Sequence, residues 1–98
     1  MSDTTTLRVH RLKCHPAMFQ DVANGSKVFE VRKDDRGFRI GDILELKEWP
    51  QPDVADYHFD TSAYRLPTLR RKVTYILSGG QWGVEPGFVV MGLEVSDE

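Results

Sequence analysis

Gly25-Ser26-Lys27-Val28-Phe29-Glu30-Val31-Arg32-Lys33-Asp34-Asp35-Arg36 is the stretch whose reading decides the fold. From Lys27 the pattern has a period of two, with Phe29 and Val31 on one side and Val28, Glu30 and Arg32 on the other. That alternation predicts a strand with one buried face, and the apolar pair Phe29 and Val31 is expected to supply the core side. Strict alternation puts Lys27 on the face opposite Glu30. For Lys27, Glu30 and Arg32 to converge, the chain must turn or bulge near Lys27, and Gly25 permits that. Asp34 to Gly37 then reads as a polar turn.

Upstream, Phe19, Val22 and Ala23 recur at helical spacing, with Met18 on the neighbouring row. Pro16 suits the first helical position and Asn24-Gly25 suits a helix end, which predicts a short helix from about Pro16 to Asn24. Leu7 to Cys14 alternates in part and predicts a strand before it. Downstream, Ile43 to Trp49 alternates Leu44 and Leu46 with Glu45 and Lys47. Leu69 to Leu77 sets Val73, Tyr75 and Leu77 opposite Lys72, Thr74 and Ile76, and Phe88 to Val95 is the most apolar run in the chain. Five strands and one early helix, with no βαβ repeat, predict an α+β, mainly β fold: a small, partly closed mixed barrel with the helix after the first strand plugging one end.

Between the third and fourth strands, Pro50 to Pro67 carries prolines, acids and no sustained period, so a long loop excursion is expected there. Its Tyr57, Phe59 and Tyr64 suit a cap on the core or stacking surfaces beside a cleft. Met1 to Thr6 reads as a loose start without the basic and apolar regions of a secretory signal. The 98 residues fit a single domain, 40% hydrophobic and 29% charged, with no run long enough to span a membrane. A cytoplasmic location follows as the expectation.

The net charge of −2 is unevenly spread. Lys27, Arg32, Lys33, Arg36 and Arg39 make one basic segment and Arg65, Arg70, Arg71 and Lys72 another, with the acids concentrated between them. If folding joins the two, one face would suit phosphate; an acidic total disfavours tight, nonspecific binding to long RNA.

Several chemistries are set aside on spacing. The glycines from Gly79 to Gly87 lack the order of a phosphate loop and precede a strand. His10, His15 and His58 have no paired spacing, so no metal or cofactor site is expected. Cys14, the single cysteine, reads as a buried spectator thiol. Ser78 has no nucleophile elbow around it.

Gly25-x-Lys27-x-x-Glu30-x-Arg32 resembles the Gly-x-Lys-x-x-Glu-x-Arg signature of ASCH domains, members of the PUA-like superfamily of RNA-binding barrels. The resemblance extends to His10-x-Leu12-Lys13, Arg36, Gly41-Asp42-Ile43-Leu44 and Val73-Thr74-Tyr75-Ile76-Leu77-Ser78-Gly79-Gly80, which are similar to a subgroup of small bacterial and phage ASCH-like proteins. It implies a single ASCH/PUA-like domain over residues 1–98 and a cleft near the helix where the motif lysine, glutamate and arginine gather around RNA, a nucleotide or a modified nucleoside. In that binding reading Lys27, Arg32 and Arg36 meet phosphates, Glu30 accepts from an exocyclic amine or orients Lys27, and Trp82 or Tyr64 stacks on a base.

One branch similar to this fold hydrolyses N4-acetylated cytidine with the motif lysine, a threonine where this chain has Glu30, and a further glutamate. An amidohydrolase built on Lys27 and Glu30, with Glu85 as the only acid in the late loop to stand in for the second glutamate, is the alternative. Glu30 removes the hydroxyl nucleophile of that branch, which favours the binding reading. A protein-interaction barrel with its cleft charges merely paired is the second alternative.

Overall fold

A computed structural model describes residues 7–49 and 68–97. Its elements run β1 (Val9–Cys14), α1 (Pro16–Ala23), β2 (Phe29–Lys33), β3 (Ile43–Glu48), β4 (Thr68–Ser78) and β5 (Phe88–Val95). The strands form one five-stranded sheet in the order β1-β3-β4-β5-β2, mixed because β1 runs parallel to β3 while the other pairs are antiparallel. It curls into a half-barrel, with the short helix after β1 as expected.

Helix α1 is too short to stand alone in water, so its ends and its packing must hold it. Pro16 opens it, and His15 Nδ1 accepts the Ala17 N–H at 3.2 Å. Phe19 and Val22 bury into the core, and Arg71 Nη2 from β4 donates to the Val22 carbonyl at 3.2 Å. A cation on the last turn also offsets the negative end of the helix.

The core joins Leu12 and Cys14 of β1, Leu44 and Leu46 of β3, Val73 of β4, and Val89, Met91 and Leu93 of β5 to the helix and Phe38. No apolar side chain of β2 enters it. Phe29 and Val31 are 42% and 51% exposed, whereas Glu30 is 3% exposed, so the expectation for this strand is reversed. Period two distinguishes two faces without saying which is inside. Here the inward face is the charged one, because Glu30 meets two cations there.

A second departure lies in β4. The register against β5 shifts between Val73 and Tyr75, the mark of a β-bulge. The extra residue reverses the phase beyond it, so Tyr75 is 63% exposed while Ile76 packs on the core. The basic segments do not join in one cleft either: β5 separates β2 from β4, and Arg70 Nη2 pairs with Glu45 Oε2 at 3.1 Å in a ladder completed by Arg11.

The barrel stays open between β1 and β2. Side chains rather than a backbone ladder cross this seam: Arg32 Nη2 donates to the Lys13 carbonyl at 2.9 Å and Arg36 Nη1 to the Arg11 carbonyl at 3.4 Å. Near its far end, buried Asp42 accepts from His10 Nε2 at 2.8 Å and from the Arg39 N–H at 2.9 Å. Those contacts tie the turn after β2 to β1 and leave a cleft at the seam's other end.

Candidate functional site at the open seam

Residues 24–28 bring the motif together. Asn24 Oδ1 accepts the Ser26 N–H at 2.8 Å, and the Lys27 N–H donates to the Asp21 carbonyl at 2.9 Å, so the chain folds back on the helix end before β2 begins. Gly25 makes the reversal with φ of 87°, a left-handed conformation that costs a side-chain-bearing residue about 1–2 kcal/mol. Lys27 therefore lies outside the strand and escapes its alternation. Its ammonium reaches Glu30 Oε1 at 2.6 Å and the Phe29 carbonyl at 2.7 Å.

On the other side, Arg32 places Nη2 2.8 Å and Nε 2.9 Å from Glu30 Oε2. The pair is a buried one on the acid's side, the Glu30 side chain being only 4% exposed. Burying a carboxylate costs several kcal/mol, and two close cations are what offset it. One anion against two cations leaves a positive charge over. An ammonium has three hydrogens and a guanidinium five. Lys27 thus keeps one donor, and Arg32 keeps those on Nη1, beyond their partners among the described residues.

The triad floors a cleft of about 610 Å³, within the range of small-molecule sites. Phe29 and Val31 form one wall and Met18 of the helix another, with Lys13, His15 and Asp21 at the rim. The side chains misread as core are thus cleft walls. Arg36 crosses the seam beyond the cleft, and Trp82, 85% exposed in the β4–β5 connection, and Glu85 in the same connection are absent from its lining. Tyr64 lies outside the described residues, as does the whole Pro50 to Pro67 stretch. Sequence reasoning missed Lys13, His15, Met18 and Asp21. Their one legible signal was position beside the helix ends, where the chain must turn.

Cys14 also lines the cleft but is 2% exposed. Burial pushes its thiol above the ordinary value of 9.0, Glu30 adds to the rise, and Arg32 and Lys27 oppose it. A raised value means less thiolate at pH 8, so 5,5′-dithiobis(2-nitrobenzoate) is expected to react on the order of 100-fold more slowly with the native protein than with the urea-unfolded chain. Equal rates would show an accessible thiol. Glu48, 8% exposed at the end of β3, sits on the same side and accepts from Gln20 Nε2 at 3.3 Å.

The model of a domain of unknown function, DUF3850, matches residues 9–93, which spans every strand and the helix. The chain belongs to the DUF3850 family. Within the chain, 44 residues are 43% identical to an uncharacterised 12.9 kDa protein in the GpA 3′ region of Escherichia phage P2. That likeness covers 45% of this chain and 40% of the phage protein. In this DUF3850 chain the Lys27-Glu30-Arg32 triad and the cleft lie wholly within the matched residues. No helix among the described residues is long and apolar enough to cross a membrane, and no cluster of three or more metal-ligating side chains occurs among them.

Proposed function

We propose that this domain is an ASCH-like, PUA-like barrel that binds a nucleotide, free or at the end of an RNA strand, in the seam cleft. The observation that carries this reading is the pair of cations held on buried Glu30 with donors to spare at the cleft floor. Fixed in advance, they meet a phosphate without the entropy of ordering two long side chains, and one excess positive charge suits one phosphate group. Phe29, Val31 and Met18 give the walls an apolar character suited to a base or ribose face. The modest local charge in an acidic chain fits a single nucleotide better than a long duplex.

The hydrolytic alternative draws less support from the same atoms. Each Glu30 oxygen already engages a cation, and the Lys27 ammonium is directed at Glu30 and the Phe29 carbonyl. Glu85 is in the β4–β5 connection, away from them.

The test is a titration of the labelled protein with the four nucleoside 5′-monophosphates, read by amide chemical shifts. Shifts are expected at residues 13–18 and 26–32. Lys27→Ala and Arg32→Ala each remove charge-assisted hydrogen bonds and are expected to weaken binding about 10- to 100-fold while the spectrum stays folded. An unperturbed wild-type spectrum across nucleotides and short RNA would refute the reading.

A further inference from the structure

The outer face of the half-barrel holds a feature the cleft does not explain. Opposite Gly92 of β5 stand Phe29 of β2 on one side and Tyr75 of β4 on the other. Residues directly opposite in a sheet share a face. Phe29 and Tyr75 are exposed, and Gly92 between them has no side chain of its own, the space a Cβ would take there being bordered by Thr74 Oγ1 at 3.2 Å and Tyr75 Cβ at 3.4 Å. Two strand spacings separate them, roughly 10 Å. Two stacking distances of about 3.5 Å come to roughly 7 Å, so a planar ring entering that gap stacks on one of the two side chains and lies beside the other.

The next row along the same face is apolar: Val31, Val90 and Leu77 lie opposite one another. Cations bracket both rows. Lys33 is opposite Phe88 at one end of β5, and Lys72 at the other is opposite Glu94, whose carboxylate offsets it, so the net positive flank is the Lys33 end. The β4 bulge creates the arrangement, because without it Tyr75 would follow Val73 into the core. Phe29 also belongs to the cleft, and the Lys27 ammonium sits 4.8 Å from its ring centre.

Resting on the cleft reading above, we infer that the ligand is a single strand of at least two nucleotides, one seated in the cleft and its neighbour stacked over Gly92 between Phe29 and Tyr75. Exposed aromatics with basic flanks are the chemistry that holds single-stranded nucleic acid, because every base offers a π-face and every linkage a phosphate. An apolar partner would leave Lys33 without a counter-charge, whereas the phosphates of a strand supply one. The strand therefore continues out of the cleft past Phe29 onto the sheet.

Fluorescence anisotropy with labelled RNA and DNA hexanucleotides of mixed sequence, alongside the mononucleotide titration, tests this. Wild type is expected to bind a hexamer at least about 10-fold more tightly than any mononucleotide, and Tyr75→Ala to lower hexamer affinity about 10-fold without changing mononucleotide affinity. The RNA and DNA arms report which strand is preferred. Equal affinity for hexamer and mononucleotide, or an unaffected Tyr75→Ala, overturns the inference while the cleft reading stands. Hexamer binding that survives Lys27→Ala and Arg32→Ala but falls with Tyr75→Ala overturns the cleft reading and, with it, the path inferred from cleft to sheet, leaving the outer face as a separate site. Dimerisation in sedimentation equilibrium that Tyr75→Ala abolishes, with hexamer affinity unchanged, would assign the face to a second copy and overturn the inference.

Discussion

Replacing Lys27 and Arg32 together by methionine is expected to destabilise the domain by about 3–5 kcal/mol in urea denaturation, the cost of leaving a buried carboxylate without its partners. Glu30 is 3% exposed, and these two side chains supply both of its short contacts to cations, at 2.6 and 2.8 Å. Either single replacement leaves one cation in place and is expected to cost less than half as much. Removing the anion as well reverses the effect. In the triple variant with Glu30→Leu the three positions become apolar, and stability is expected to return to within about 1 kcal/mol of wild type, since a buried ion pair roughly breaks even against well-packed hydrophobic residues. Nucleotide binding would not return. A double variant as stable as wild type would mean that Glu30 reaches water after all. Recovery of stability without binding would show that the triad is kept for the ligand rather than for the fold.

Gly79→Ala is the second large effect. A Cβ at Gly79 would press on the Glu85 carbonyl oxygen and come within 2.6 Å of the Phe88 carbonyl oxygen, both of them backbone atoms that the β4–β5 connection cannot easily move. That connection is tied by the Gly80 N–H to the Val84 carbonyl at 2.7 Å and by the Phe88 N–H to the Glu85 carbonyl at 3.1 Å. Its opening would disturb the start of β5, on which β2 and the triad depend. The expected loss is about 3 kcal/mol, at the upper end of overpacking. Gly25→Ala is the control: nothing lies within 4 Å of a Cβ there, so only its positive φ is penalised, at about 1–2 kcal/mol. A Gly79→Ala variant less affected than Gly25→Ala would contradict the close approach.

Much of the architecture was legible because it rests on local pattern. The helix was read from Pro16, Phe19, Val22 and the Asn24-Gly25 end, and it spans Pro16–Ala23 with Asn24 as its cap. The strand Phe88–Val95 was read at its observed limits, and the convergence of Lys27, Glu30 and Arg32 was anticipated from the turn at Gly25. What failed was facing. Phe29 and Val31 were assigned inward because apolar residues usually are, and Tyr75 was placed beside Val73 because a bulge leaves no mark in an alternating sequence. Trp82 and Glu85 were linked to the cleft only through residue type, and the connection that holds them lies elsewhere.

The sequence by itself therefore determined the elements, their order and the motif's three charged residues, since periodicity, proline and glycine act over a few neighbouring residues. Only the tertiary structure decided which face of β2 is buried, because burial of Glu30 depends on Lys27 folding back from the helix end and Arg32 reaching Lys13 across the seam. It alone decided that parallel β1–β3 pairing leaves a seam toward β2, and that Phe29 and Tyr75, distant in the chain, flank one glycine. Pairing of distant strands is fixed by the whole balance of burial and closure, which no short window of residues contains.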